Sequence, residues 1–577
     1  MSYNLKQEVK KRFLDDCINK VKPQSKWKVL LVDSHSTRVI SSVIRMTELT
    51  DSGVTVVERL NQQRQRLATF EAIYIIYPCL ESFQQLIEDF KPGNVLYKGA
   101  HIFTLTPTSE KLFTLLAINN ISKYILTFLE LNLNFLAIES QVFSLDEPLG
   151  LWAVYSPHGK DEFDRITLYT ADQLATLFST LGQHPYIGYL NSSEKNLTFA
   201  EVVHSRLQFL VQLGAVPSER AGHLVILDRG ADLFSPVLHE LTYQAMLYDC
   251  FDVKNNMLMA NNEAFILDEN DPLWCSLRHL HIADLSKKVA GLLQDFKKRE
   301  KEYRPTKEKL SAQELATIMR KLPSLKEEGK IVSFHYNNAA LCMTELNKTN
   351  LHDICEAEQN VAFQMDSNNK PIKNTLSCIL PLLRDPQTTY DNKLRLVLLY
   401  LLRKRGVSES ELKQLLDSAD IANEDRIIFR TLPLLGGKIL NQDPGTPEFP
   451  RAGRHTGEKY STSRWTPFVW DVAQAVLQGS SASIGINYLD PKPTTKTSNT
   501  EPAAQSRRKK KTWISQTEDR NIEKVVIFII GGITYSEMRS VYEISKMFST
   551  PVLIGSTNVL TSKIFLQELK DLDDPLE

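Results

Sequence analysis

The first 137 residues hold five short apolar runs: WKVLLVD (27–33), VTVVE (54–58), AIYIIYP (72–78), AHIFTL (100–105) and NLNFLAI (132–138). Between them lie segments with apolar residues at helical spacing, STRVISSVIRMTEL (36–49), SFQQLIEDF (82–90) and SEKLFTLLAI (109–118). A strand that is apolar along its whole length must be covered on both faces. Helices crossing over between parallel strands provide that cover, so the alternation predicts an α/β unit with a parallel sheet.

At 577 residues the chain is too long for one core, and the pattern returns further along. A second α/β region begins near SQVFSLD (140–146) and runs through helix-like ADQLATLFSTL (171–181) to LVILD (224–228). It resumes at VVIFII (525–530), where Thr534 and Glu537 have the spacing of a capping box, followed by PVLIG (551–555) and TSKIFLQEL (561–569). Between these halves helical periods dominate. QELATIMRKL (313–322) places Leu315, Ile318, Met319 and Leu322 on one face, and Pro323 is expected to end or bend that helix. DNKLRLVLLYLLRKRG (391–406) is a second strong helix, closed by glycine. The expected division is 1–137, then 138–249 together with 467–577, then a helical insertion over 250–466 with a hairpin around 305–336.

The start, MSYNLKQEVKKRFLDDC, lacks the apolar core of a secretory signal, and Leu5, Val9 and Phe13 recur at amphipathic-helix spacing. VVIFII is far too short to span a membrane. The 7 cysteines are scattered without a C-x-x-C pair, which points to reduced thiols in a cytosolic protein. Lys+Arg total 68 against Asp+Glu 69, so no global field draws the chain onto nucleic acid or anionic membrane. Two polar stretches read as loops, 441–463 as mobile and 491–512 as disordered. The second contains the basic run Arg507 to Lys511, which reads as a solvated linker or a lipid contact, with no aromatics for bases to stack on.

No constellation in the sequence carries chemistry. Asp33 follows the first strand without the glycines a dinucleotide needs, and reads as an acid or metal group or as a residue fixing a loop. His279 and His281 stand two apart, a spacing that splays helical side chains and makes no metal pair. Gly531-Gly532 lacks the lysine of a phosphate loop. In LVILDRGADLFSPVLHELTYQAMLYD (224–249), Asp228 and Asp232 flank Arg229, an arrangement suited to pinning a strand-to-helix corner. Ser235 and Pro236 are predicted to open the following helix, with Leu238, Leu241, Ala245 and Tyr248 on one face.

The corner segment, with WKVLLVD, SSVIRMTEL, GVTVVE, ESQVFSLD, DPLWCSLRHLHIA, SRWTPF, GGITYSEMRSVYEIS and IGSTNVLT, resembles the SM family of Sec/Munc-type syntaxin-binding proteins. The matches run nearly end to end in order, and look most like the plasma-membrane branch. The resemblance implies a three-domain arch of two parallel-sheet α/β domains and a mainly helical insertion, without catalysis, cofactor or metal. It implies binding to syntaxin and to assembling SNARE complexes. Asp33, Arg38, Arg45, Glu58 and Arg64 fall where relatives line the syntaxin cleft, and Phe113, Phe128 and Glu130 where an outer pocket takes the syntaxin N-terminal peptide. Pro323 matches the bend of the hairpin that offers a surface to the vesicle SNARE, with the bent form as the resting state. Two other readings stay open on the residues alone: a nucleotide-dependent α/β enzyme using Asp228 or Gly531–Gly532, and a tether that touches no SNARE.

Overall fold

A computed structural model describes residues 3–23, 27–254, 256–260, 263–302, 312–368, 370–443, 460–490 and 523–575. Most of the polar stretch at 441–463, all of 491–512 with its basic run, and residues 303–311 lie outside the described residues.

The strands in chain order are β1 Lys28–Val32, β2 Val54–Arg59, β3 Leu67–Ile76, β4 Tyr97–Thr104, β5 Ile125–Glu130, β6 Leu136–Glu139, β7 Val142–Ser144 and β8 His184–Leu190. They continue with β9 Arg220–Asp228, β10 Met257–Ala260, β11 Glu263–Ile266, β12 Ile486–Tyr488, β13 Val525–Ile530, β14 Ile533–Thr534, β15 Val552–Ser556 and β16 Val559–Leu560. The helices are α1 Leu5–Arg12, α2 Ser34–Ser41, α3 Met46–Asp51, α4 Leu80–Glu88, α5 Glu110–Ile118, α6 Gly150–Tyr155, α7 Lys160–Leu181, α8 Glu194–Gln212, α9 Tyr243–Cys250 and α10 Pro272–Leu277. After them come α11 Ile282–Glu302, α12 Ala312–Lys348, α13 Leu351–Phe363, α14 Leu376–Arg384, α15 Tyr390–Lys404, α16 Glu409–Ser418, α17 Ile428–Thr431, α18 Phe468–Leu477, α19 Tyr535–Phe548 and α20 Ser562–Asp571.

The first sheet is all parallel in the order β2-β1-β3-β4-β5. The second runs β12-β8-β9-β13-β15-β7-β6, parallel inside and antiparallel at both edges. In it β13 lies beside β9, register Ile527 to Val225, although the helical insertion separates them in sequence. The fold class is therefore α/β with a mainly helical insertion. One apolar cluster joins Leu30, Ile73 and Phe103 of the first sheet to Leu174, Phe178, Ile226 and Phe528 of the second unit, so the two sheets share a core face.

Four local expectations need correcting. The fifth strand of the first sheet is Ile125–Glu130, not 132–138. Asn132 turns the chain at φ 50°, and Leu136–Glu139 then becomes the edge strand of the second sheet. The helix over 36–49 is two helices, because Arg45 is extended and caps α3, its N–H donating to Glu48 at 3.0 Å. Ser235 and Pro236 sit in a turn, and α9 starts at Tyr243 with Thr242 as its cap, after Thr242 has bridged to His281. Finally, α12 runs through Pro323 without a break. A proline forfeits one backbone hydrogen bond, and the turns just beyond it are held along α11. Gly329 allows the close approach, since a Cβ there would meet Phe296 Cζ at 2.6 Å, and Arg299 pairs with Glu328 beside it.

The capping box at Thr534 and Glu537 forms as its spacing predicts. At the chain's far end, burial pushes the Glu568 carboxyl up to about 8 from 4.5, although Asn558 donates to it at 2.7 Å. A carboxyl whose folded value is raised keeps a proton that the unfolded chain releases. Stability is therefore lost as pH rises from 4.5 toward 8. Glu568→Gln is expected to flatten that decline in thermal unfolding scans across the same range; an unchanged pH slope would show the group to be ionised in the fold.

Candidate functional site

The corner after β9 is a buried polar network. Arg229 is 1% exposed and forks onto Glu537, Nη1 to Oε2 at 3.0 Å and Nη2 to Oε1 at 2.8 Å. It also donates to the carbonyls of Gly532 at 3.1 Å and Asp232 at 2.6 Å. Asp228 accepts from Tyr155 and Asn196, both at 2.6 Å. Asp232 accepts from the N–H groups of Phe234, Ser235 and Phe468 and from the Ser235 hydroxyl. The carboxylate that neutralises Arg229 thus comes from α19, across the insertion, and not from the flanking aspartates. Each of these groups is committed to holding the second sheet together.

At the first sheet the strand order reverses between β1 and β3, the crevice where open α/β sheets accept ligands. Here the Asp33 carboxylate occupies it, accepting from Ser36 N at 2.7 Å, Tyr77 N at 2.7 Å and Ser82 Oγ at 2.9 Å. The residue caps α2 and ties the ends of β1 and β3. Asp33 is buried, so it shapes the surface from beneath and does not line it. Arg64 is likewise not a surface residue: its side chain is 6% exposed and paired with Asp89, which also accepts from Tyr74 at 2.8 Å. Burial of that pair leaves the Arg64 guanidinium no open face for a partner.

Arg38 and Arg45 are exposed. Arg38 reaches Asp146 beyond β7, and Arg45 stands 3.6 Å from Asp268, which follows β11 in the helical insertion. Glu58, on the edge strand β2, takes a long bond from Tyr97 at 3.4 Å. The structure thus brings Arg45 up to the insertion, while Glu58 stands on β2, an edge strand of the first sheet. Asp268 was not singled out in the sequence, where nothing local distinguishes it from other loop acids.

Phe113, Phe128 and Glu130 do come together. Phe113 of α5 is 42% exposed, its ring 4.9 Å from that of Phe128 on the edge strand β5. Glu130, two residues on and therefore on the same strand face, accepts from Thr108 N at 2.8 Å. Leu126 shares this face and is also exposed. The result is an open apolar patch with one carboxylate at its rim.

A further surface escaped the sequence reading. A groove of about 660 Å³ runs between α12 (Lys330, Phe334, Asn337, Leu341, Thr344) and the β10–β11 hairpin with its Met259 and Phe265. Phe265 stacks on Phe334 at 4.0 Å, and Met257, Met259, Ile266 and Leu341 remain exposed around it. Its signal was present as two short apolar runs, MLMA and EAFI, separated by two asparagines, a hairpin pattern.

The buried charges are committed to structure, while Arg38, Arg45 and the apolar patches stand open on two α/β bodies around a helical insertion. The chain belongs to the Sec1 family, whose sequence pattern matches residues 28–568. It is 30% identical over 599 residues to the protein transport protein sec1 of Dictyostelium discoideum, covering 99% of this chain and 100% of the relative. The SNARE-interacting protein KEULE of Arabidopsis thaliana is 25% identical over 644 residues, covering 98% and 95%. Among solved structures, the Unc18–syntaxin 1 complex of Monosiga brevicollis superposes with a TM-score of 0.88 at 27% identity, covering 99% of this chain and 100% of that one. The SM protein Vps45 in complex with the Qa SNARE Tlg2 shares the fold, with a TM-score of 0.80 at 22% identity over 99% and 98%.

Proposed function

We propose that this chain binds a syntaxin and assembling SNARE complexes, and so regulates the docking and fusion of vesicles in exocytosis without catalysis of its own. The observation that carries this reading is the full-length likeness to a chain solved together with a syntaxin. Arg38, Arg45 and Glu58 supply charge for register against a polar helical partner, with Asp33 and Arg64 as buried supports. The patch of Phe113, Phe128 and Glu130 suits a short N-terminal peptide carrying an apolar and a basic anchor. The groove along α12 suits an amphipathic helix such as a vesicle SNARE, with Pro323 as the hinge of the hairpin. Among the described residues no helix is long and apolar enough to cross a membrane. On this reading the chain is recruited from the cytoplasm to the plasma membrane by its SNARE partners.

Calorimetric titration with a cytosolic syntaxin, intact and lacking its N-terminal peptide, tests the reading. Tight binding that weakens on truncation is expected, and failure to bind any of several syntaxins would refute it. Phe113→Ala and Glu130→Ala are each expected to weaken the intact syntaxin about tenfold, the loss typical of an interface anchor, and to leave the truncated one unaffected. Equal losses for both forms would place these residues outside the peptide site.

A further inference from the structure

His239, Cys355 and Glu358 bring an imidazole nitrogen, a thiol sulfur and a carboxylate oxygen within 4.8 Å of one another, all buried. It is the one such group of three among the described residues. Cys355 and Glu358 are three apart on α13 and so share a helical face. His239 reaches them from the turn that follows the Arg229 corner. Its Nδ1 lies 2.7 Å from Glu358 Oε1, and its backbone N–H donates to Oε2 at 2.9 Å.

We propose that these three side chains bind a divalent transition metal, Zn²⁺ by the chemistry of the donor set, which would tie α13 to the corner of the second sheet. Thiolate, imidazole and carboxylate are the ligand types zinc prefers, and bonds of about 2.0–2.3 Å place tetrahedral ligand atoms about 3.5 Å apart. The present spacing needs only small side-chain adjustments to reach that geometry. The outer groups fit as well. His239 Nε2 faces the Asp249 carboxylate at 3.8 Å, the arrangement that orients a ligating imidazole by its second nitrogen. Asp249 is itself held by Arg395 at 2.8 Å. The Arg395 guanidinium bonds Asp249 and lies within electrostatic reach of Glu358 as well, so the outer carboxylate is fixed in place behind the imidazole.

The exchange balances. Zn²⁺ enters, and two protons leave: that of the Cys355 thiol and the one shared between His239 and Glu358. The buried net charge is then the same before and after. Three protein ligands leave a fourth position, and one of the three, His239, lines a cavity of about 360 Å³ together with Asp249 and Arg395.

The test is titration of the chelator-treated full-length protein with Zn²⁺ against a competing indicator, and with Co²⁺ followed by absorption. One equivalent of metal, a thiolate-to-cobalt charge-transfer band and a raised melting temperature are expected. Cys355→Ala should abolish the band, and Glu358→Gln should weaken Zn²⁺ at least tenfold while keeping it. Asp249→Asn, acting through the imidazole, should cost about 10–100-fold in affinity. Absence of the band from the parent protein overturns the proposal whatever the variants do. So does Zn²⁺ binding that persists unchanged in Cys355→Ala, since it would then sit on other cysteines. Should Cys355→Ala fail to fold, Zn²⁺-dependent protection of Cys355 from alkylation in mild denaturant replaces it, and equal labelling with and without metal counts against the site.

Discussion

Arg229→Met is expected to cost the chain about 3–5 kcal/mol of stability, a large share of what holds a domain folded. The magnitude follows from what is left behind. Glu537 is fully buried and keeps the hydrogen bonds of Thr534, but loses both guanidinium contacts and stands as an uncompensated charge. Glu537→Leu exposes the reverse fault, a buried guanidinium with only carbonyls as partners. The double replacement should be milder than either single one, because it removes both charges and fills the space with apolar atoms. Solubility on expression and apparent melting temperature measure all three. Singles within about 0.5 kcal/mol of the parent, the range of ordinary surface changes, would mean that the corner is not what joins the two halves of the second sheet.

That pair also marks the limit of reading this chain locally. The strands in the sheet interiors were legible because covering both faces forces an unbroken apolar run, as in VVIFII or AIYIIYP. The edge strand β5, ILTFLE, is exposed along part of its length and carries a mixed sequence, so the more apolar NLNFLAI competed for its place. The Thr534–Glu537 box was legible at three-residue spacing. That the same glutamate neutralises Arg229, 308 positions away, was not, since no periodicity encodes a contact across an inserted domain. Site residues divide the same way. Phe113, Phe128 and Glu130 were named through the resemblance, and the fold brings them together at one sheet edge. Asp33 and Arg64 came with it too, but their burial is decided by Tyr77, Ser82 and Asp89, whose approach depends on the sheet closing. For Asp33 the plainer reading from the residues alone, a charge fixing a loop, is the one its hydrogen bonds fit.

Pro323 carries the second large effect. Against alanine, a proline in a helix interior is worse by about 3 kcal/mol, through its missing N–H and its clash with the preceding turn. In α12 the helix nonetheless continues on both sides of it, with Gly329 against Phe296 and Glu328 against Arg299 holding the segment just beyond to α11. The expectation that proline ends or bends the helix is overturned in its first half, since α12 continues through Pro323. On the proposed reading the penalty keeps the part of α12 before Pro323 close to a balance between helix and bend. A partner that binds the straight form must then supply the difference. Pro323→Ala removes most of it. Amide exchange over residues 312–322 should slow, and vesicle SNARE affinity and the rate of liposome fusion should rise, with the ceiling on affinity set by the same ~3 kcal/mol. Syntaxin binding through the first sheet should not change, which separates this effect from a general gain in stability. If exchange slows while binding and fusion stay as in the parent, the straight helix is already the resting state and Pro323 has no part in gating the groove.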